Sequence, residues 1–232
     1  MVGGGSRRPT FEVVRLLAPC VRRRAPGLRS SPLHTPRLVL TPARRSDAPD
    51  LERLFHDRRV NRFLPPARRR ESGAEAVRRA QRNARLGLAI RFTARARSDG
   101  RFVGQVTVFG VNPDDRRAEI GYAFAATEWG QGFAPEAVSR AIEWAFTTLG
   151  LHRLDAVVVA GNDRSIRVLR RLGFRREGVR REAAVDGPAF VDLLEYGRLA
   201  SDPGPRARRS PGRAIGRRTR PKRARGRPSA AR

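Results

Sequence analysis

The 232-residue chain has one cysteine, one methionine and one lysine, and its three histidines stand far apart. A lone Cys20 has no partner for an intrachain disulfide and excludes a metal site built from several cysteines. His34, His56 and His152 share no ligand spacing, so no metal is expected. No run approaches the roughly 20 consecutive apolar residues that cross a bilayer. The pair Arg7-Arg8 is followed by an apolar stretch that Glu12 and Arg15 interrupt, which does not suit an export signal. These absences set the expectation of a cytoplasmic protein that makes no membrane contact. Phenols are scarce too: Tyr122 and Tyr196 are the only two.

Acidic residues are few, 22 against 50 basic ones, and the net charge of +28 sits unevenly. Residues 1–33 hold seven Arg and one acid, and residues 201–232 hold eleven Arg, Lys222 and one acid. Both ends have too little apolar surface to offset the entropy of ordering them. They are expected to be a disordered basic extension (1–33) and a disordered Arg/Pro-rich tail (201–232) around a folded domain of residues 34–200. With Lys222 alone among arginines, composition rather than function explains much of the basicity, which weakens any nucleic-acid reading. Residues 206–227 also lack an aromatic for base stacking. Any nucleic-acid or ribosome contact through the tails should therefore be weak, electrostatic and salt-sensitive.

Within the domain the periodicities alternate. Arg37 to Thr41 reads as a short strand, and Ser46 is expected to cap a helix through His56 with Leu51, Leu54 and Phe55 on one face. A second, polar helix is expected from Glu71 to Leu86. Three strands, Leu88 to Arg95, Arg101 to Val111 and Arg116 to Phe124, are separated by Asp99-Gly100 and Asn112-Pro113 and suggest an antiparallel meander. A helix over 133–148, a strand from Leu154 to Val159 expected to be buried on both faces, a short helix over 163–172 and a hairpin around Asp186-Gly187 complete the chain. The result is an α/β (α+β) fold with a mixed, largely antiparallel central sheet and helices on both faces.

The most informative stretch is Trp129-Gly130-Gln131-Gly132-Phe133-Ala134-Pro135-Glu136. Its glycines lie between a strand and a helix. They allow a tight turn that gathers backbone N–H groups at a helix N-terminus, where phosphate binds. Around it stand Glu119-Ile120-Gly121-Tyr122, Leu151-His152-Arg153-Leu154, Asn162-Asp163-Arg164-Ser165-Ile166-Arg167-Val168-Leu169 and Leu172-Gly173-Phe174-Arg175-Arg176-Glu177-Gly178. In this order and at these spacings the chain resembles the GCN5-related N-acetyltransferases (GNAT), and among them the ribosomal-protein N-terminal acetyltransferases (RimJ/RimL-like). The resemblance covers residues 35–200, about 70 % of the chain.

The resemblance implies acetyl-coenzyme A as cosubstrate and a primary amine as acceptor, either a protein N-terminus, that of a ribosomal protein included, or a small molecule. It places the pyrophosphate on backbone N–H groups of Gln131, Gly132, Phe133 and Ala134. The pantetheine arm would run along Tyr122, Ala123 and Phe124 like an added strand, which requires this strand and Leu154 to Val159 to splay. Asn162 and Ser165 would reach the coenzyme from the opposite lip. The family usually has Gln or Arg where Trp129 stands. Acyl transfer to an ammonium needs a base, and Glu119 is the candidate, directly or through water. The tyrosine acid that many relatives carry is replaced by Leu169, so Ser165 is the candidate to protonate the leaving thiolate; Tyr122 and Tyr196 are weaker ones. Glu119 pairing with an arginine and Ser165 capping a helix are the plain structural alternatives. An acyl-coenzyme A-binding module, weak in catalysis and tethered by its basic tails to nucleic acid or ribosome, is the competing function. Oligomeric state is not written in the sequence.

Overall fold

The computed structural model describes residues 27–64, 71–186 and 189–204. The expected disorder of both tails, a short helix anticipated at Phe11 to Leu17, Cys20 and the hairpin residue Gly187 lie outside the described residues. Eight strands form one sheet. They are β1 (Leu33–His34), β2 (Leu38–Pro42), β3 (Ala89–Ala96), β4 (Phe102–Asn112), β5 (Arg117–Phe124), β6 (Arg153–Val159), β7 (Arg175–Asp186) and β8 (Ala189–Leu199). The order across the sheet is β1-β2-β3-β4-β5-β6-β8-β7. Each neighbouring pair is antiparallel except β5 and β6, which run parallel. The meander of β3, β4 and β5 is as expected. Gly100, at a φ of 72°, closes its first turn, and the Asn112 side chain accepts the N–H groups of Asp114 and Asp115 in the second.

The described helices are α1 (Ala48–His56), α2 (Arg58–Asn61), α3 (Gly73–Arg85), α4 (Phe133–Thr147) and α5 (Asp163–Arg171). One face of the sheet, with Phe92, Val106, Ile120 and Leu154, packs against Ala137, Val138, Ala141 and Ala145 of α4 and Leu169 of α5 in a single core. Trp144 of α4 meets Phe92 edge-on at 5.2 Å between ring centroids, the core role its helical position predicts. On the other face α1, α2 and α3 form their own cluster through Leu51, Phe55, Val60 and Val77, and this cluster meets the sheet at Ala123 of β5 and Phe102 of β4. Arg91, Gln105, Thr107 and Glu119 on that face border a cavity. This difference between the faces positions the site.

Local chemistry explains most boundaries. Ser72 and Glu75 form a reciprocal capping box that starts α3, and the Asn162 side chain accepts the Ser165 N–H at the start of α5. Ser46, however, does not cap α1. It lies in a 3-10 turn, Arg45–Asp47, and the helix begins at Ala48. The reason is Asp47, whose buried carboxylate accepts from the Arg44 N–H, the Thr93 hydroxyl and Arg95, fixing the chain to β3 before the helix can start. β6 is not buried on both faces either. Leu154, Ala156 and Val158 are buried while Val157 and Val159 are half-exposed, because their side of the strand lines the cavity rather than a helix. β1 and α2 were not anticipated, being too short for periodicity to register. Packed contacts also run slightly past 34–200. The Leu28 N–H donates to the Ala84 carbonyl, and Asp202 accepts from the Leu199 N–H and pairs with Arg175.

Candidate functional site

The parallel pair β5 and β6 is joined only at Arg117↔Arg153, Ala118↔Leu154 and Glu119↔Asp155. β5 then continues with β4 as far as Gly104↔Phe124, and β6 continues with β8 as far as Val159↔Leu193. The two facing edges diverge, so the backbone from Ile120 and from Ala156 onward has no strand partner on that side. The splay expected from the sequence is thus present. Its far end is finished by Trp129, whose indole N–H donates to the Phe124 carbonyl at 2.9 Å.

A cavity of about 720 Å³ opens on one side of this fork. Tyr122, Ala123 and Phe124 line it from β5, Gly132, Phe133 and Ala134 from the start of α4. Gly132 is the N-cap of α4 at a φ of 81°, a left-handed conformation that favours glycine, and no side chain caps this helix end. The first N–H groups of α4 are therefore available to an anion, with the helix dipole in support. Arg37 braces the loop from outside. It donates to the Gln131 carbonyl at 2.9 Å and pairs with Glu136, which also accepts from the Thr35 hydroxyl. Burial works against the Glu136 charge, but the hydrogen bonds from Thr35 and Arg37 prevail and hold its carboxyl below its ordinary range. Gln131 is not among the residues lining the cavity; its amide donates to Thr127 and Glu128. Asn162 and Ser165 line the opposite lip. Three cations there, Arg164, Arg167 and Arg171, escaped the sequence reading, although spacings of three and four along a helix are the signal that places them on one face. Arg164 stacks across the mouth on Trp129, 4.5 Å from the ring centroid.

A second cavity, about 950 Å³, shares Phe63, Leu64, Tyr122, Asn162 and Ser165 with the first. At this junction the Tyr122 hydroxyl lies 2.9 Å from the Ser165 hydroxyl and 3.2 Å from the Ser165 carbonyl. Burial pushes the Tyr122 phenol well up despite the hydrogen bond with Ser165, so it stays protonated at neutral pH. Ser165 thus combines a capped N–H at the helix start with a hydroxyl in contact with Tyr122. Glu119 stands at the point of the fork, half-buried and facing the second cavity. Burial raises its carboxyl above the ordinary value, the nearby Asp155 charge adds to this, and Arg180 opposes it. No arginine pairs with Glu119 among the described residues; Arg180 pairs with Glu195 instead, at 2.8 Å. Leu169 is buried beside the same cavity, with no acid–base capacity. Tyr196 is buried in the core with its hydroxyl unpartnered among the described residues, and it lines neither cavity. Asp192 accepts the Glu182 N–H at 2.9 Å. Arg91, at the cavity floor, was missed; its alternation with Thr93 and Arg95 on one face of β3 was the available signal.

The arrangement can hold an extended anionic ligand along the open edge of β5 and bring its end to Tyr122 and Ser165. A second molecule approaching from the larger cavity would meet it beside a weakly acidic carboxyl. Among the described residues no helix is long and apolar enough to cross a membrane, and no group of three or more His, Cys, Asp or Glu is placed to hold a metal.

Comparison with known proteins agrees with this geometry. Residues 37–175 match the family described as Acetyltransferase (GNAT) domain. The chain is 33 % identical over 167 residues to the uncharacterized N-acetyltransferase YoaA of Bacillus subtilis, covering 71 % of this chain and 94 % of that one. Among solved structures it resembles Mycobacterium smegmatis RimJ in complex with CoA-disulfide, at 29 % identity and a TM-score of 0.66, over 73 % of this chain and 86 % of that one. It shares its fold with the Vibrio cholerae spermidine N-acetyltransferase in complex with CoA and spermine. That match has 23 % identity and a TM-score of 0.65, over 71 % of this chain and 96 % of that one.

Proposed function

The chain belongs to the GNAT family of acetyltransferases, and from that premise we propose how this N-acetyltransferase uses its two cavities. Acetyl-coenzyme A occupies the smaller one and the amine acceptor the larger. The observation that carries this is the fork between β5 and β6, because it joins the two cavities at one point, Tyr122 and Ser165. The fit of the coenzyme rests on three features. The unpaired β5 edge suits an extended arm with amide groups. The uncapped start of α4 at Gly132, Phe133 and Ala134 suits a diphosphate, and Gln131 contributes through its backbone alone. Arg164, Arg167 and Arg171 supply positive charge on the far lip, with Asn162 and Ser165 beside them.

The thioester supplies the acetyl group: the amine nitrogen bonds to its carbonyl carbon, the carbon–sulfur bond breaks, and the sulfur leaves as a thiolate that needs one proton. Holding both partners at the fork supplies much of the acceleration. Glu119, raised into a more basic range by burial, takes the proton of the ammonium, directly or through a water. Ser165 gives its proton to the thiolate and recovers it from the amide-forming nitrogen through solvent; Tyr122 holds the Ser165 hydroxyl in place. The balance is one ammonium and one thioester giving one amide, one thiol and one proton.

The acceptor is a primary amine of a protein N-terminus or a small molecule. Residues 34–200 carry the activity in a cytoplasmic setting, with the basic ends dispensable for chemistry. Family membership supports this enzyme over the competing acyl-coenzyme A-binding tether. The test is calorimetry with coenzyme A, followed by turnover of acetyl-coenzyme A over a panel of amines. Micromolar binding with transfer that collapses in Glu119→Gln is the expected outcome. A folded protein that binds no coenzyme A would overturn the assignment, and equal turnover in Glu119→Gln and Ser165→Ala would remove their roles.

A further inference from the structure

The larger cavity carries information on the acceptor that the shared motifs do not. Its described lining holds four charged side chains, Arg79, Arg91, Arg180 and the single carboxylate Glu119. The carboxylates that partner two of these arginines do not line the cavity. Glu71 holds Arg79 from outside the lining in a two-pronged ion pair, and Glu195 holds Arg180 through its Nε. Arg91 is buried at the floor, donating to the Ala76 carbonyl and lying over the Phe55 ring. A ligand entering the cavity therefore meets guanidinium groups on three sides and one carboxylate at the fork.

Glu119 suffices for one ammonium, the one that reacts. A polyamine brings two or three more, and each would need a carboxylate of its own or remain hydrated beside a guanidinium. Resting on the acetyltransferase reading above, we infer that the acceptor is a polypeptide N-terminus carrying acidic side chains in its first residues, whose α-amine meets Glu119 while its carboxylates meet Arg91 and Arg180.

The distances allow this. Arg91 pairs across the sheet with Thr107 and Thr107 with Gly121, two residues from Glu119 on the same face. Two strand spacings make about 10 Å between those backbones, which the reach of an arginine shortens from its side. In a peptide the second residue begins about 3.8 Å from the carbon that bears the amine, so its carboxylate falls between Glu119 and the guanidinium groups. Arg180, on the opposite wall, lies near enough to Glu119 to oppose the effect of burial on it. A cavity of about 950 Å³, walled also by Phe55, Phe109 and Leu193, has room for more than one residue, which favours a chain end over a free amino acid. The three arginines line the cavity, whereas Glu71 and Glu195, which pair with two of them, do not.

The experiment compares kcat/KM of the full chain with acetyl-coenzyme A and five acceptors. These are a peptide with Glu at positions two and three, its Gln and Lys counterparts, free glutamate, and spermidine. The acidic peptide is expected to exceed the Gln peptide by about tenfold, and the Lys peptide and spermidine to fall below both; raising the salt narrows the spread. Arg180→Glu, at a half-exposed position that tolerates substitution, should reduce the acidic preference or reverse it while coenzyme A still binds. Spermidine or the Lys peptide matching the acidic peptide overturns the inference and leaves the transferase reading in place. Free glutamate matching the acidic peptide keeps the anionic requirement but overturns the polypeptide assignment. Transfer to none of the five, with coenzyme A bound, removes both.

Discussion

The two cavities that meet at Ser165 are built by different means. The smaller takes its shape from backbone: the free edge of β5, a left-handed Gly132 and the first amides of α4. Even Gln131, in the middle of the loop motif, turns its side chain away to Thr127 and Glu128. The larger is made of side chains gathered from α1, α3, α5, β3, β4, β5, β6 and the β7–β8 hairpin. Backbone geometry tolerates many side chains and demands few, so it leaves a short, fixed motif. A side-chain surface assembled from so many separate elements leaves none.

The sharpest way to test this contrast is at Glu119. Replacing it with Gln should lower kcat by about a hundredfold, within the usual range for a general base, and leave coenzyme A affinity unchanged. In the wild type the rate should fall as pH drops through the raised pKa of Glu119, at a midpoint above the ordinary 4.5, and this limb should vanish in the variant. Stability moves the other way. A carboxyl whose folded pKa exceeds its unfolded value loses stability as pH rises through that interval, so Glu119→Gln should melt about 1 °C higher at neutral pH. A lower melting temperature would mean the carboxylate is held by partners rather than strained by burial.

Next in size is Gly132→Ala. A side chain in the left-handed region costs roughly 1–2 kcal/mol, so coenzyme A affinity should fall about tenfold in calorimetry. A Cβ there would also stand 3.4 Å from Arg37. Gln131→Ala, one residue earlier, should change affinity by less than about threefold, as expected of an exposed side chain with two surface hydrogen bonds. Equal losses at the two positions would break the distinction between backbone and side chain. Smallest of all, removal of residues 205–232 should leave kcat/KM within about twofold in a standard turnover assay, since the electrostatic help of a basic tail is screened by salt. The cut belongs after Gly204, because Asp202 ties Leu199 and Arg175.

What could be read from the sequence follows the same division. The meander and the long helix under the sheet were legible because alternation and helical spacing are local signals, whereas the fork was expected only because the family resemblance implies it. Ser46 misled because a local capping rule lost to Asp47, whose carboxylate is claimed by Thr93 and Arg95 far along the chain. Val157 and Val159 misled because an apolar run looks the same whether its second face meets a helix or lines a cavity. Arg91 and Arg180 were invisible as a pair: only the folded sheet brings β3 and β7 to opposite walls of one space.

Among the described residues, three residue pairs stitch the half-sheet β1 to β5 to the half-sheet β6, β8 and β7. A bound coenzyme would act as the missing rung between them. Amide hydrogen exchange should then slow at residues 120–124, and melting should become more cooperative and rise with ligand concentration. The cosubstrate would then be a part of the fold that the protein borrows for each turnover and gives back.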